Sequence, residues 1–365
     1  MKKTLLTAVS VILTLALLFG LAVNAFAQSD FADNAYATVI TASDFQDKNS
    51  AAFDRFEGIL SNMKDDGMPT PHSMISGGDY SKMWPDYATP GVMQVRDAFA
   101  NVFPDADTDS VVCIQGNHDF LSAGFTQTGY YDMGAYNLYV INENDFNWNQ
   151  FLRVPTHIKN TAEKLESTLS DLAAKQDFRP VIIVTHVPLH HTDRTLYGDN
   201  KYSSYLFNVI NEAAKKLDII FIFGHNHSGD YDDYIGGAVN FLAPGDEIRI
   251  PLKDKIGEDC YTVETLNFTY TNCGYVGYSG NGTENGSTDK LTVSAIQFTE
   301  DSFHFVKYSE EGLFGTYDVD RINQNTTVSD SKPTTTLVNE ALYNLMIKII
   351  EFFKSLFAGN APAFA

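Results

Sequence analysis

Residues 219–227 read Ile-Ile-Phe-Ile-Phe-Gly-His-Asn-His. An unbroken apolar run of this length, rich in β-branched and aromatic residues, suits a strand buried on both faces. Gly224 ends the run and releases two imidazoles, His225 and His227. Side chains two apart in an extended segment point to the same side, so both rings can face one centre. The same plan recurs upstream. Thr38-Val39-Ile40 leads to Asp44-Phe45-Gln46, and Met74-Ile75 leads to Gly78-Asp79. Val111-Val112-Cys113-Ile114 leads to Gly116-Asn117-His118-Asp119, and Val181-Ile182-Ile183-Val184 leads to His186. Strand ends in α/β sheets converge on a crevice. Five short strands that each end in a carboxylate, amide or imidazole therefore describe one site. Taken singly, Gly78-Asp79 and Gly116-Asn117 read as turns, and His186 as a hydrogen-bonded core histidine. Taken together, those readings leave clustered charged and polar groups at five strand ends without partners, which burial penalises. Asp, Asn, Gln and His form the hard and borderline donor set of a divalent metal cluster.

This ordered set resembles the calcineurin-like metallophosphoesterases, whose pattern runs Asp-x-His, Gly-Asp, Gly-Asn-His-Asp/Glu, His, Gly-His-x-His. The likeness extends from Asp44 to His227 with one departure, Gln46, which stands where the family usually has His. The resemblance implies an α/β fold: a sandwich of two mixed β-sheets flanked by helices. It implies a dinuclear metal centre in which Asp79 touches both ions. Asp44, Gln46 and His227 complete the first site, and Asn117, His186 and His225 complete the second. His118 is expected beside the cluster as the catalytic acid, with Asp119 hydrogen-bonded to its far ring nitrogen to fix the tautomer. The activity implied is hydrolysis of phosphate mono- or diesters by a bridging hydroxide held between two divalent ions (Mn²⁺, Fe²⁺, Zn²⁺ or Mg²⁺). An amide oxygen is a harder and weaker donor than imidazole, so Gln46 tilts the first site towards Mn²⁺ or Mg²⁺. Purple acid phosphatases carry a Tyr ligand three residues after the bridging Asp; here that position is Lys82, which argues against a ferric site. The competing reading is a degenerate, non-catalytic metal-binding or interaction protein on the same fold. Gln46 alone supports it, against the intact Asn117, His118, His186, His225 and His227.

The chain has 365 residues and a formal net charge of −21. Such acidity repels nucleic-acid backbones and anionic membrane surfaces, so no nucleic-acid partner is expected; the resemblance implies a phosphorylated small molecule or diester as substrate. Residues 1–27 read as a secretory signal peptide: Lys2 and Lys3, an apolar stretch from Leu5 to Leu21, then the small-x-small site Ala25-Phe26-Ala27. Uncleaved, the stretch is nearly long enough to anchor the chain in a bilayer. Either way the expected location is secreted or in the cell envelope. Cys113, inside an apolar strand, reads as a small buried hydrophobe. Cys260 and Cys273 are candidates for a disulfide in an oxidising compartment.

Apolar periodicity predicts helices over Ala51–Met63, Met93–Val102, Ala162–Ala174 and Leu206–Leu217. Short strands are expected at Val239–Phe241, Glu247–Ile250, Leu291–Phe298 and Phe303–Tyr308, the last two joined by a turn at Thr299–Ser302. Gly274–Lys290 is rich in Gly, Asn and Ser and reads as a surface loop. His190 and His191 fall on an expected loop, where one of them either approaches the leaving group or is simply an exposed loop histidine. The catalytic domain is placed at 28–321, a polar linker at 322–336 and an amphipathic helix at 337–365. The wide apolar face of that helix suits docking on its own domain, self-association or attachment to a membrane surface.

Overall fold

The computed structural model describes residues 30–46, 51–80, 89–119, 124–142, 156–190, 203–225, 227, 241–251, 261–277, 291–323 and 348. The expected signal peptide, nearly all of the linker, the C-terminal helix apart from Lys348, and also Lys82, His191, Val239 and Cys260 lie outside them.

Four α-helices are described: α1 (Ala51–Asp65), α2 (Thr89–Val102), α3 (Thr156–Lys175) and α4 (Ser203–Ala213). The first strands are β1 (Ala37–Ala42), β2 (Ser73–Ser76), β3 (Val111–Cys113), β4 (Gly129–Asp132), β5 (Asn137–Ile141), β6 (Val181–Thr185) and β7 (Ile219–Phe223). They are followed by β8 (Phe241–Leu242), β9 (Glu247–Pro251), β10 (Tyr261–Thr265) and β11 (Thr269–Asn272). The last are β12 (Gly274–Tyr275), β13 (Thr292–Phe298), β14 (Ser302–Ser309) and β15 (Gly312–Asp320). One sheet runs β15-β14-β13-β1-β2-β3, with β12 also paired to β13; the other runs β4-β5-β6-β7-β11-β8; β9 and β10 form a separate pair. Both large sheets are mixed. β1, β2 and β3 are parallel, as are β5, β6, β7 and β11, and the outer strands are antiparallel.

Alternation along the strands explains why the apolar runs have no polar gaps. Val39, Ile75, Val112, Ile182, Val184, Ile220 and Ile222 meet in one cluster between the two sheets. Their sequence neighbours Ile40, Met74 and Val111 pack instead with Phe56, Ile59 and Leu60 of α1 and Val95 and Phe99 of α2. Val181, Ile183, Ile219 and Phe221 pack with Leu165 and Leu169 of α3 and Phe207 and Ile210 of α4. The result is four layers, helix–sheet–sheet–helix, with both strand faces buried. Each fully buried Ile or Phe side chain contributes about 1.5–3 kcal/mol. No helix among the described residues is long and apolar enough to cross a membrane.

The fold class is as expected, and several boundaries move. α2 begins at Thr89 and α3 at Thr156 because their first turns are polar or carry Pro90, which the first turn of a helix tolerates. α4 ends at Ala213, and its expected last turn loosens. β4, β5, β10, β11 and β15 escaped sequence reading. The expected loop at Gly274–Lys290 is corrected at its start: Gly274 and Tyr275 pair with Val293 and Thr292, and residues 274–277 are buried. Gly274 holds a φ of +94°, and an added Cβ would sit 2.5 Å from the Thr292 carbonyl oxygen. The disulfide expectation is also corrected: Cys273 is a buried free thiol.

At the far edge Arg321 joins the sheets. Leaving β15, its guanidinium donates to Asp218 Oδ2 (3.4 Å), Thr299 O (3.0 Å) and Phe178 O (3.3 Å), while Ile322 N–H donates to Asp218 Oδ1 (2.7 Å). Asp218 directly precedes β7, and both side chains of the pair are nearly inaccessible, 0% and 2% exposed. Arg321→Met should lower the unfolding free energy by about 3–5 kcal/mol, because Asp218 would remain as an uncompensated buried charge. Urea titration followed by circular dichroism measures it; a loss below about 1 kcal/mol would contradict this account of the clasp.

Candidate metal centre

Because β1, β2 and β3 are parallel, their C-terminal ends lie on one edge of the first sheet, and β6 and β7 present theirs in the second. The segments Ser43–Gln46, Gly77–Tyr80 and Ile114–Asp119, with His186, Gly224, His225 and His227, leave those ends and meet. The sheets are cross-linked there. The His186 ring donates from Nδ1 to Gly77 O (2.8 Å), and His225 N–H donates to Asp44 Oδ1 and Oδ2 (3.2 and 3.0 Å).

The backbone is strained where the ligands were expected. Among the described residues, six non-glycine residues have positive φ. Five are Asp44 (55°), Gln46 (37°), Asp79 (59°), His225 (70°) and His227 (53°); the sixth, Gln176, follows α3 as its C-terminal cap. Left-handed conformations in Asp, Gln and His persist only where surrounding structure enforces them, and such strain gathers at functional sites.

Asp44, Asp79 and His227 offer ligand atoms within 4.8 Å of one another, all buried. His227 Nε2 lies 3.2 Å from Asp44 Oδ1. His186 Nε2 faces Asn117 Oδ1 (2.9 Å) and Asp79 Oδ2 (3.3 Å), and His225 Nδ1 lies 3.1 Å from the same Asn117 oxygen. Since His186 Nδ1 donates to a carbonyl, the neutral ring presents a lone pair at Nε2 to two further acceptors. A cation satisfies such a convergence of acceptors, and a carbonyl fixing the other ring nitrogen is the usual support of a metal-bound histidine. The donor set therefore fits divalent ions.

Burial by itself would raise the Asp79 pKa; with His186 protonated, the charge and hydrogen bond of that ring, followed by the charge of His118 and the hydrogen bond from its backbone, hold it well below the usual carboxylate range. Asp44 follows the same logic: burial pushes up, while His227 and then His186 pull it down. Asp119 goes the other way. Burial and the negative charge of Asp79 push it up to about 7.

The Gln46 amide N–H donates to Asp79 Oδ2 (2.7 Å), which places this side chain beside that carboxylate. His118 is half-buried beside it, and its backbone N–H donates to Asp79 Oδ1 (2.9 Å). The Asp119 carboxylate accepts from Asp79 N (2.8 Å), Tyr80 N (2.8 Å) and Gly116 N (2.9 Å), a role for this side chain that the sequence did not suggest. It braces the loops carrying Asp79 and Asn117 against each other. Tyr80 points into the core, stacked with Phe45 and Phe125. His190 is buried rather than on an exposed loop: Nδ1 lies 2.8 Å from the Tyr270 hydroxyl and the ring meets Phe223 edge-on.

Sequence reading missed two neighbours. The Ser43 hydroxyl donates to Asp44 Oδ2 (2.5 Å), and the Tyr275 ring stacks on His227 at 5.1 Å and 4°. Ser43 directly precedes Asp44, which was a local clue. Tyr275 had none, because it approaches from a glycine-rich stretch 48 residues beyond His227.

The sequence profile described as calcineurin-like phosphoesterase matches residues 37–229. No curated protein matches the chain. Among solved structures, a dimetal phosphatase from Danio rerio is similar at 12% identity, with 78% of this chain and 99% of that one covered and a TM-score of 0.44. A conserved uncharacterized protein from Streptococcus pneumoniae, described as a predicted phosphoesterase, is similar at 11% identity, with 78% and 98% covered and a TM-score of 0.35. GAP50, the anchor in the inner membrane complex of Plasmodium, is similar at 13% identity, with 80% and 90% covered and a TM-score of 0.44.

An added Cβ on Gly116 would lie 2.5 Å from Asp79 N and overlap Asp79 Oδ1. Gly116→Ala should therefore displace the central carboxylate. The expected outcome is loss of most bound Mn²⁺ by elemental analysis, with the far-ultraviolet circular dichroism spectrum retained. A normally loaded variant would show that this close approach does not position the centre.

Proposed function

The chain belongs to the calcineurin-like phosphoesterase family, and we propose that it is a metal-dependent hydrolase of phosphate mono- or diesters. The observation that carries the reading is the convergence of Asp44, Asp79 and His227 within 4.8 Å of one another. Asp79 would serve both ions, with Asp44, Gln46 and His227 on one side and Asn117, His186 and His225 on the other. Two divalent cations bound there would supply Lewis-acid polarisation of the phosphoryl group and acidification of a water molecule.

The remaining work falls to the protein. Hydrogen bonds from Gln46 and the His118 backbone hold the Asp79 carboxylate in one orientation. His118, half-buried beside the cluster, donates a proton to the departing oxygen, and Asp119 positions the segment that carries it. With a net charge of −21, the surface does little to attract a phosphate, so recognition is local to the centre. Secretion belongs to the same proposal and is supported by Lys2, Lys3, the apolar stretch and Ala25-Phe26-Ala27.

Protein reconstituted with Mn²⁺ should carry two ions per chain and hydrolyse at least one of a panel of mono-, di- and pyrophosphate substrates. Asp79→Ala should lose both ions. Protein that takes up no divalent metal, and whose function is unchanged by chelators, would overturn the proposal; two bound ions without turnover would favour the non-catalytic reading. His118→Ala should retain its metal yet lose about 10²–10⁴-fold in rate on alkyl esters, whose alkoxides leave poorly unless protonated. Aryl esters leave as phenolates and should lose far less. Equal losses on both classes would mean that His118 binds the phosphate without acting as the acid.

A further inference from the structure

Residues 272–277, Asn-Cys-Gly-Tyr-Val-Gly, cross from one sheet to the other directly over the candidate centre. They begin at the end of β11, which lies beside β7, and finish paired to β13, which lies beside β1. The crossing is anchored throughout its length. Cys273 N–H donates to Phe223 O (2.6 Å), and Thr41 Oγ1 donates to Cys273 O (2.9 Å). Val276 N–H donates to Ser43 O (3.4 Å), and Arg55 donates to Val276 O (2.6 Å). Asn272 Oδ1 accepts from Gly274 N–H (3.1 Å) and from the fully buried ammonium of Lys307, which reaches across from β14. An added Cβ on Gly277 would overlap the Asp44 carbonyl oxygen, so the crossing lies as close to the first ligand segment as a backbone can.

From this rigid crossing Tyr275, 1% exposed, lays its ring on His227 with centroids 5.1 Å apart and planes 4° from parallel. His227 needs such support. Its φ of 53° is unfavourable for a histidine. A covered ring face removes rotamers that would swing the imidazole away from Asp44. An imidazole bound to a divalent cation is also electron-poor, and the negative face of a tyrosine ring attracts it more strongly than an aliphatic side chain does.

We propose that Tyr275 is a positioning residue for the first metal site, holding the His227 imidazole by face-to-face stacking. The inference rests on the metal-centre reading above. The experiment compares Tyr275→Phe, which keeps the ring, with Tyr275→Leu, which keeps much of the bulk and loses the aromatic face. Mn²⁺ titrations of each chelator-stripped protein would be followed by electron paramagnetic resonance, alongside melting curves. The expected result is a roughly five-fold weaker Mn²⁺ affinity at one of the two sites in Tyr275→Leu, an unchanged second site, and wild-type behaviour in Tyr275→Phe. In metal-free protein the His227 ring protons should be shifted upfield by the Tyr275 ring current, a signal that Tyr275→Phe retains.

Unchanged affinities in Tyr275→Leu would overturn the proposal, as would parallel weakening of both sites with a lowered melting temperature, the mark of general packing. Losses in Tyr275→Phe equal to those in Tyr275→Leu would overturn the stacking assignment. If Tyr275→Leu does not fold, the wild-type spectrum decides, and unshifted His227 protons would reject the stack. Wild-type protein that takes up no Mn²⁺ overturns the metal-centre reading itself, a result distinct from normal uptake with an unaffected Leu variant.

Discussion

Asp44 and Asp79 lie fully buried with ligand atoms within 4.8 Å of one another, and placing two carboxylates so close inside a dry fold is the constraint that shapes everything around them. Burial opposes ionisation, and like charges add to that opposition. The fold answers with donors directed at these oxygens: the Ser43 hydroxyl and His225 N–H at Asp44, the Gln46 amide and His118 N–H at Asp79. Histidines supply the rest. The turns needed to aim these donors force Asp44, Gln46, Asp79, His225 and His227 into left-handed backbone. Strain and charge at the centre thus have one origin, and divalent cations would relieve the electrostatic part of it.

The parts that sequence made legible are those where chemistry and periodicity coincide. The run 219–223 and its counterparts at β1, β3 and β6 are buried on both faces, so apart from the threonines of β1 and the last residue of β6 they are wholly apolar, and they end close to the residues that matter. The strands passed over lack that signature. β15 is an edge strand with a largely half-exposed or exposed pattern, Gly-Leu-Phe-Gly-Thr-Tyr-Asp-Val-Asp, and β4 is similarly open. Gly274-Tyr275-Val276-Gly277 was obscured by its composition. Glycine usually marks an exposed turn, whereas here it allows a backbone to pass against another backbone. Side-chain contacts made across long separations, such as Tyr275 on His227, leave no local pattern.

Asp119 illustrates a further limit. Its place in the Gly116-Asn117-His118-Asp119 block suggested service to the neighbouring imidazole and gave no hint of the backbone contacts that its oxygens make. In three dimensions its two oxygens gather backbone N–H groups from two different strand ends. Burial and Asp79 push its pKa up to about 7, so this brace stands against a considerable electrostatic penalty. A motif gives the residue type at a position. Which atoms that residue holds depends on where the adjoining strand ends arrive.

The centre draws its donors from positions 44 to 227 and from both sheets, and Tyr275 adds a contact from beyond them. No stretch of ten or twenty residues contains a usable half of it. Contacts between residues so far apart in the chain must close long loops before they gain anything, which slows folding. Metal ions therefore have little to grip on a nascent or partly folded chain, in contrast to small zinc modules whose ligands lie close together and whose folding the ion drives. On the proposed reading, capture of the ions would follow assembly of the sandwich, and the stabilisation it brought would act by mass action on the finished native state.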